Sequence, residues 1–373
     1  MATIRPLERA DLPEVTSLYE LVARSGSRTA PPGLASYFEE TFFDYPGADS
    51  EIPSLVYVDD GRVVGFLGSS VRRLVFEGRP LRLGISGQLV TEPEVRNRAA
   101  GAFLMKEYMN GPQDLTLTDT ASDVVRRIWE GLGGETSQLA CIGWVRLFRP
   151  FRFAGDFLAR RRERARLARA GRPLSAALDA AGAAIAGGVL RAPAPEGETE
   201  DLTAEALVAH LPAVASSFRL RPDYGGDGVA RWLLDALRSV GTRGELVGRL
   251  VRARDGAVRG SYVYYLLPGG IAQVVQVAGD EREVGEVLDH LFHDARERGA
   301  SGIQGRLEAH LRAPLAARRA VFHASGYLAL LHSRDAEILH AIQSGRALLT
   351  RLEGEWWMGH HLEPFGGTWA GTP

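Results

Sequence analysis

Two arginines and a glycine stand together in a short turn between a strand-like run and a helix-like run. The run before the turn extends from Leu83 to Thr91, and after it Ala102 and Met105 recur at helical spacing. Small residues let a backbone approach a ligand, and the first turn of a helix offers unpaired N–H groups. Arginines there are disfavoured by the helix dipole, by roughly 0.3–1 kcal/mol each, unless an anion binds between them. The residues Arg96 to Gly101 therefore predict a pyrophosphate cradle.

The same stretch resembles the donor-binding motif of the GNAT superfamily of acyl-CoA-dependent N-acyltransferases. The family pattern Arg/Gln-x-x-Gly-x-Gly/Ala is met by Arg96 to Gly101, after Pro93-Glu94, with Ala99 at the first motif glycine. The resemblance implies acetyl-CoA or another acyl-CoA as co-substrate, and no metal. It also implies a set of donor-binding residues: Leu89, Val90, Thr91, Arg96, Asn97, Arg98, Ala99, Ala100, Gly101, Ala102 and Ser122. Of these, the backbones of Leu89, Val90 and Thr91 hold the pantetheine arm and stabilise the oxyanion, a role worth roughly 2.7–4 kcal/mol.

Residues 1–150 are predicted to form one complete domain of this kind. Asp60-Gly61 indicates a hairpin turn, and a final strand is predicted from Gln138 to Phe148. The predicted order β-α-α-β-β-β-α-β-α-β is similar to the GNAT order. The predicted fold class is therefore α/β with a mixed sheet.

The rest of the chain is interpreted as a linker and a second, degenerate copy. Residues 151–200 contain a basic stretch, from Arg160 to Arg169, and an Ala- and Gly-rich stretch. In residues 201–373, Asp255-Gly256 repeats the spacing of the first hairpin. At the cradle position, Gly279 to Gly285 carries three carboxylates, which repel a phosphate at a helix N-terminus. The prediction is two GNAT-like domains in tandem, of which the second has lost donor binding.

Two carboxylates are candidates for the base that takes a proton from the acceptor amine. Glu92 ends the strand before the cradle, and Asp119 ends the next strand. Each has a plainer alternative, a solvated carboxylate or, for Asp119, a helix cap. Where the resemblance implies an acidic tyrosine this chain has Trp129, so the thiol is expected to leave as a thiolate, with Tyr108 or an acceptor-side tyrosine as the alternative acid.

Several aromatic and histidine residues have no assigned chemistry. Tyr37 to Tyr45 and Tyr262 to Tyr265 are interpreted as core, with an acceptor-cleft wall as the alternative. The segment Glu353 to His361 is expected to pack as an edge strand. Its adjacent histidines point to opposite faces of a strand, so no metal site is predicted.

Composition limits the class of partner. The chain has 373 residues, of which 45% are hydrophobic and 24% charged, and a net charge of −2, which argues against nucleic-acid binding. The single cysteine, Cys141, fits a reducing cytoplasm. A signal-peptide pattern and an apolar run of about 18–20 residues are not seen, so no stable membrane insertion is expected.

The sequence thus predicts a cytoplasmic N-acyltransferase, in which a small-molecule or peptide amine attacks the acyl-CoA directly. A CoA-binding protein without turnover is one alternative, motivated by Ala99 and Trp129. An aminoacyl-tRNA-dependent peptide-bond-forming transferase is another, because such enzymes also pair two GNAT-like domains.

Overall fold

The computed structural model describes residues 2–94, 99–159, 178–179, 192, 194–226, 228–266 and 270–358. The predicted basic helix from Arg160 to Arg169 lies outside these residues. The strands are β1 (Thr3–Pro6), β2 (Leu55–Asp59), β3 (Arg62–Phe76), β4 (Arg79–Thr91), β5 (Leu115–Ala121), β6 (Glu135–Thr136), β7 (Ile142–Leu147), β8 (Glu198–Asp201), β9 (Leu220–Asp223), β10 (Glu245–Arg252), β11 (Val258–Leu266), β12 (Ile271–Gly279), β13 (Gly302–Arg306), β14 (Val321–Ala324) and β15 (Leu328–His332). The α-helices are α1 (Leu12–Tyr19), α2 (Gly33–Phe42), α3 (Ala100–Met109), α4 (Asp123–Gly131), α5 (Pro150–Ala159), α6 (Ala204–Val214), α7 (Val229–Arg238), α8 (Val284–Glu297), α9 (Arg312–Ala317) and α10 (Ala336–Gln343).

The chain divides into two compact units, each with one mixed sheet. The first unit comprises Met1–Cys141, Phe218–Val240 and Gly326–Pro373, and the second comprises Ile142–Ser217 and Gly241–Ser325. The predicted α/β class with mixed sheets is confirmed. Both units take in chain from either side of the boundaries proposed at residues 150 and 200, and the division 1–150, 151–200 and 201–373 stays a prediction.

The first unit is a sheet covered by helices on both faces. Its strand order is β1-β2-β3-β4-β5-β15-β6, with β9 also paired to β3. The neighbours β4 and β5 are parallel. Phe66 packs with residues of α1 and α2, whereas its neighbour Leu67 packs with residues of α3 and α4. Adjacent residues of a strand point to opposite faces, so β3 supplies both cores.

The second unit repeats this plan with the order β14-β7-β13-β12-β11-β10-β8, in which β12 and β13 are parallel. The predicted last strand of the first copy forms as β7, but it pairs with β13 and β14 of the second sheet. The place beside β5 in the first sheet belongs to β15. An apolar strand pattern predicts that a strand forms, but it does not predict which sheet the strand joins. The prediction that this strand belongs to the first domain was therefore wrong.

In the part of the chain that the structure describes, no helix is long and apolar enough to cross a membrane.

The predicted hairpin turn between β2 and β3 is present. Asp60 and Gly61 have φ of 48° and 78°, as a two-residue type I′ turn requires. A Cβ added at Gly61 would meet nothing within 4 Å, so only the backbone conformation favours glycine there. Gly256, in the corresponding turn of the second unit, has φ of 81°.

We expect Gly61→Ala to lower the free energy of unfolding by about 1 kcal/mol, because alanine is strained at positive φ. Gly131, at the end of α4, also has open space around a Cβ but lacks a positive φ. It is the matched control, and Gly131→Ala should be neutral or stabilising by up to about 1 kcal/mol. Urea unfolding of both variants measures the difference, and equal effects would contradict the turn assignment.

Candidate active site

The first unit contains a gap between two neighbouring strands, β4 and β5. They are paired from Leu83 to Ile85 on β4 and from Leu115 to Leu117 on β5. Beyond these residues β4 stays paired to β3 as far as Thr91, while β5 stays paired to β15 as far as Ala121. In the described strands, therefore, the end of β4 has a paired edge towards β3 and an unpaired edge towards β5.

A β-bulge shapes the end of β4 at this gap. Phe66 is opposite Val90 and Gly68 is opposite Gly87, so β4 has one more residue than β3 between these pairs. Gln88 lies in the bulge with φ of 55°. A non-glycine residue at positive φ costs of order 1–3 kcal/mol, and such conformations cluster at functional sites. The bulge includes Leu89 and is followed by Val90 and Thr91, and these three residues form the backbone predicted to hold the pantetheine arm.

The predicted cradle joins this strand to α3. Arg96, Asn97 and Arg98 lie outside the described residues. Ala99, the residue before α3, is exposed and left-handed, with φ of 57° and ψ of 26°. Glycine is the residue that adopts this conformation at least cost, and a glycine is what the motif has at this position. Ala99 thus has the alanine side chain in a backbone conformation that glycine would adopt at less cost.

Three further predicted donor-binding residues begin α3. Ala100 is fully buried in the core, and Gly101 and Ala102 are partly exposed. A Cβ at Gly101 would make ordinary contacts of 3.8 Å with Leu89 and Thr91. Packing within the unit alone does not require glycine there.

Ser122 caps the helix that follows β5. Its hydroxyl accepts a hydrogen bond from the Val125 N–H at 3.4 Å, and the residue is exposed. The hydroxyl proton is not used by this contact. Ser122 can therefore cap α4 and still donate to a ligand, and its contact with the pantetheine stays a prediction.

Two residues from which a leaving thiolate would take a proton, Trp129 and Tyr108, are buried in the core. Trp129 is 1% exposed, and its indole N–H donates to the Leu331 carbonyl at 2.9 Å. Tyr108 is 3% exposed, its hydroxyl is hydrogen-bonded to Ser69 at 2.8 Å, and burial raises its pKa. Trp129 is thus a core residue at the family's tyrosine position.

The predicted base Glu92 is held by two arginines. Its carboxylate is buried and forms ion pairs with Arg28 and, at 2.8 Å, with Arg62. Its N–H donates to the Val64 carbonyl at 2.9 Å. These contacts fix the end of β4 against β3.

The predicted base Asp119 is buried on β5 and holds the C-terminal segment. Its Oδ1 accepts hydrogen bonds from the N–H groups of Glu355 at 2.9 Å and Trp356 at 3.0 Å. Asp119 therefore fixes a turn of the C-terminal segment. The residue that caps α4 is Ser122, whereas a helix cap was the plainer alternative for Asp119 in the sequence analysis. The segment of residues 351–358 consists of turns and bends and is not the expected edge strand. His360 and His361 lie outside the described residues.

Sequence reasoning missed the carboxylate that lies in the gap itself, Glu355. Its Oε1 accepts hydrogen bonds from the hydroxyls of Thr118 and, at 2.7 Å, Thr120 on β5. On the other side is Gly87 of β4, where an added Cβ would lie 2.0 Å from Oε2. Burial, and next the charge of Asp119, raise the pKa of Glu355 to about 7. Local periodicity cannot reveal a contact between residues 237 positions apart.

The aromatic segments serve mainly as core. Phe38 is fully buried, stacked on Phe66 with ring centroids 5.6 Å apart. Tyr262, Tyr264 and Tyr265 are fully buried, and the first two donate to Asp294 at 3.3 and 3.0 Å. Tyr37 lies nearer the site, since its hydroxyl accepts from Gln88 at 3.5 Å.

The cradle position of the second unit has a different charge pattern. At the start of α8, Glu283 is ion-paired with Arg259. An open cavity of about 400 Å³ next to it is lined by Glu281, Arg282, Arg312 and Arg318, among others. Arg318 is itself held by Asp289 at 2.6 Å. In the described part of the chain, no group of three or more His, Cys, Asp or Glu side chains has the arrangement of a metal site.

Comparison with known proteins gives the fold a name. No family model and no curated protein sequence matches the chain. Solved structures do match it. A probable N-acyltransferase from Enterococcus faecalis is 10% identical with a TM-score of 0.57, over 88% of this chain and 72% of that one. A GCN5-related N-acetyltransferase from Kribbella flavida is 15% identical with a TM-score of 0.52, over 90% and 72%.

A third match is N-myristoyltransferase from Saccharomyces cerevisiae, solved with bound myristoyl-CoA. It is 11% identical with a TM-score of 0.50, over 88% of this chain and 77% of that one. Sequence identity this low shows the fold alone. The matched structures cover most of the chain, and their fold agrees with the resemblance found in the sequence. The chain has the fold of the GNAT-type acyltransferases.

Proposed function

We propose that the protein is an N-acyltransferase that moves an acetyl or longer acyl group from acyl-CoA to an amine. The observation that carries this proposal is the gap between β4 and β5. There β4 separates from β5 next to a bulge, and α3 is the next helix along the chain. An extended pantetheine arm can pair with an unpaired strand edge, as a further strand would. A pyrophosphate is stabilised at a helix N-terminus.

We propose a role for each predicted donor-binding residue. The backbones of Leu89, Val90 and Thr91 line the arm and supply the oxyanion donor. The residues from Arg96 to Ala102 bind the pyrophosphate, and Ser122 at the start of α4 contacts the pantetheine. Helix α3 follows β4 and helix α4 follows β5, and these are the two strands that separate at the gap. The co-substrate is thus acetyl-CoA or another acyl-CoA.

The second unit is proposed to have lost donor binding. At its position equivalent to the cradle, Glu281 precedes α8, where negative charge opposes a phosphate, whereas Glu283 is neutralised by Arg259. The proposed architecture is a tandem with one working donor site. The proposed acceptor is a small-molecule or peptide amine, and the proposed location is the cytoplasm.

A CoA-binding protein without turnover is the second candidate, and the burial of Trp129 favours it. With its indole N–H bound to Leu331, this residue offers no proton to a leaving group. A missing acid slows a reaction by roughly 10²–10⁴-fold, whereas positioning alone supplies about 7–11 kcal/mol. A thiol with a pKa of about 8.5 can also leave as a thiolate. We therefore favour a slow enzyme over a binder.

Release of free thiol separates the two candidates. We expect a panel of amines, incubated with acetyl-CoA and the full chain, to give acylated product and thiol in equal amounts. A thiol reagent and mass spectrometry of the product measure both, with protein-free buffer as the control. Tight binding of acetyl-CoA with no turnover above buffer across the panel would support the binder.

A further inference from the structure

Glu355 lies where β4 and β5 part. The last paired residues are Ile85 on β4 and Leu117 on β5. The carboxyl group lies beside the residues that follow, Gly87 on one strand and Thr118 on the other. Any side chain at Gly87 would collide with Oε2 of Glu355, since a Cβ would be only 2.0 Å away. The carboxyl thus spans the closed end of the gap.

The turn that presents this carboxyl is rigidly built. Asp119 accepts the N–H groups of Glu355 and Trp356. Two residues earlier, Glu353 accepts the N–H of Thr350 at 2.7 Å and its hydroxyl at 2.8 Å, and also the hydroxyl of Tyr224. Trp356 and Trp357 are 5% and 2% exposed, which anchors the turn in the core. The position of Glu355 is therefore fixed by its backbone.

The environment of Glu355 is unfavourable for a residue with only a structural role. Oε1 of Glu355 accepts hydrogen bonds from two threonine hydroxyls. The neighbouring Asp119 has a negative charge, which repels the charge of an ionised Glu355. Glu92, by contrast, is buried between two arginines. A buried carboxyl next to a second carboxylate destabilises a fold, and such arrangements occur mainly at functional sites.

We infer that Glu355 is the general base of the acyl transfer, an inference that rests on the proposed acyltransferase function. The amine nitrogen attacks the thioester carbonyl carbon and forms the C–N bond. Its surplus proton passes to the Glu355 carboxylate and from there to solvent. The C–S bond breaks, and its electron pair leaves with sulfur as the CoA thiolate. Asp119 is then a positioning residue for Glu355 rather than the base.

The titration of Glu355 suits this role. A base acts best when its pKa is near the working pH, and burial together with Asp119 brings the pKa of Glu355 to about 7. The charge of Glu355 in turn acts on Tyr19 of α1 and Tyr108 of α3. Burial raises the pKa of both phenols, so they stay protonated near neutral pH.

The test compares Glu355→Gln, Glu355→Asp and the unchanged full chain, with an acceptor amine that is uncharged throughout the pH range. We expect Glu355→Gln to lower kcat by about 10²-fold or more, with the Kd for acetyl-CoA changed by less than about twofold. The rise of kcat through neutral pH should disappear. Glu355→Asp should regain part of the rate and keep the pH dependence.

Glu353→Gln is the matched control, because it removes a buried carboxylate from the same turn. It should retain the pH profile of kcat, whatever its effect on thermal stability. If Glu355→Gln does not fold, Glu355→Ala decides, and a kcat and pH profile equal to those of the unchanged chain overturn the inference. The inference also fails if Glu355→Gln keeps the original kcat and pH profile. Absence of acetyl-CoA binding or of turnover in the unchanged chain overturns the proposed function itself, and this inference with it.

Discussion

Acetyl-CoA titrated into the full chain should bind at one site per chain. Arg98→Glu should weaken that binding by about tenfold to a hundredfold. A charge-assisted hydrogen bond to a phosphate contributes about 1.5–3 kcal/mol, and the new carboxylate adds repulsion. Arg98 lies outside the described residues, so its role stays a prediction from the motif. Its chain neighbour Ala99 has the left-handed backbone that the motif's glycine provides. Titration calorimetry measures both the number of sites and the Kd.

Arg282→Glu is the matched control for this experiment. Arg282 precedes α8 of the second unit and lines its open cavity. The same change of charge at that helix start should leave the Kd for acetyl-CoA unchanged. Two sites per chain, or binding that is indifferent to Arg98, would refute the assignment of the cradle to the first unit.

Features set by neighbouring residues could be predicted from the sequence. Asp60-Gly61 forms the predicted turn because the turn needs positive φ at two successive residues, and Asp-Gly adopts such φ values readily. The strand before the cradle and the helix after it were predicted in the right order because each has its own hydrophobic period. The family resemblance added the backbone role of Leu89 to Thr91, which side-chain chemistry alone does not suggest.

Features set by distant contacts could not be predicted. The pattern of β7 predicts a strand, but its partners β13 and β14 lie far along the chain. The C-terminal segment looked like an edge strand because Trp356 and Trp357 are apolar and bulky. In the structure both are buried in a turn that Asp119 holds. Glu355 becomes a candidate base only once Gly87 and Thr118 are known to lie beside it.

Glu355→Gln should make the protein more stable at neutral and higher pH, by about 3 kcal/mol in the free energy of unfolding. The pKa of Glu355 is raised from the ordinary 4.5 to about 7 in the folded chain. Between these values the folded state keeps a proton that the unfolded state has released. Stability therefore falls as pH rises through this window, and the loss is complete above about pH 7. The amide of glutamine stays neutral and escapes this loss.

The advantage of Glu355→Gln over the unchanged chain should thus be small near pH 4.5 and fully present above about pH 7. Urea unfolding of both proteins across this window measures it, and the difference between them cancels the titration of groups that they share. Glu107→Gln, which removes an exposed carboxylate from α3, is the control and should show no such trend. A constant difference between Glu355→Gln and the unchanged chain would show that Glu355 has the same pKa in the folded and the unfolded chain. The burial of Glu355 beside Asp119 would then give no support to its role as the base.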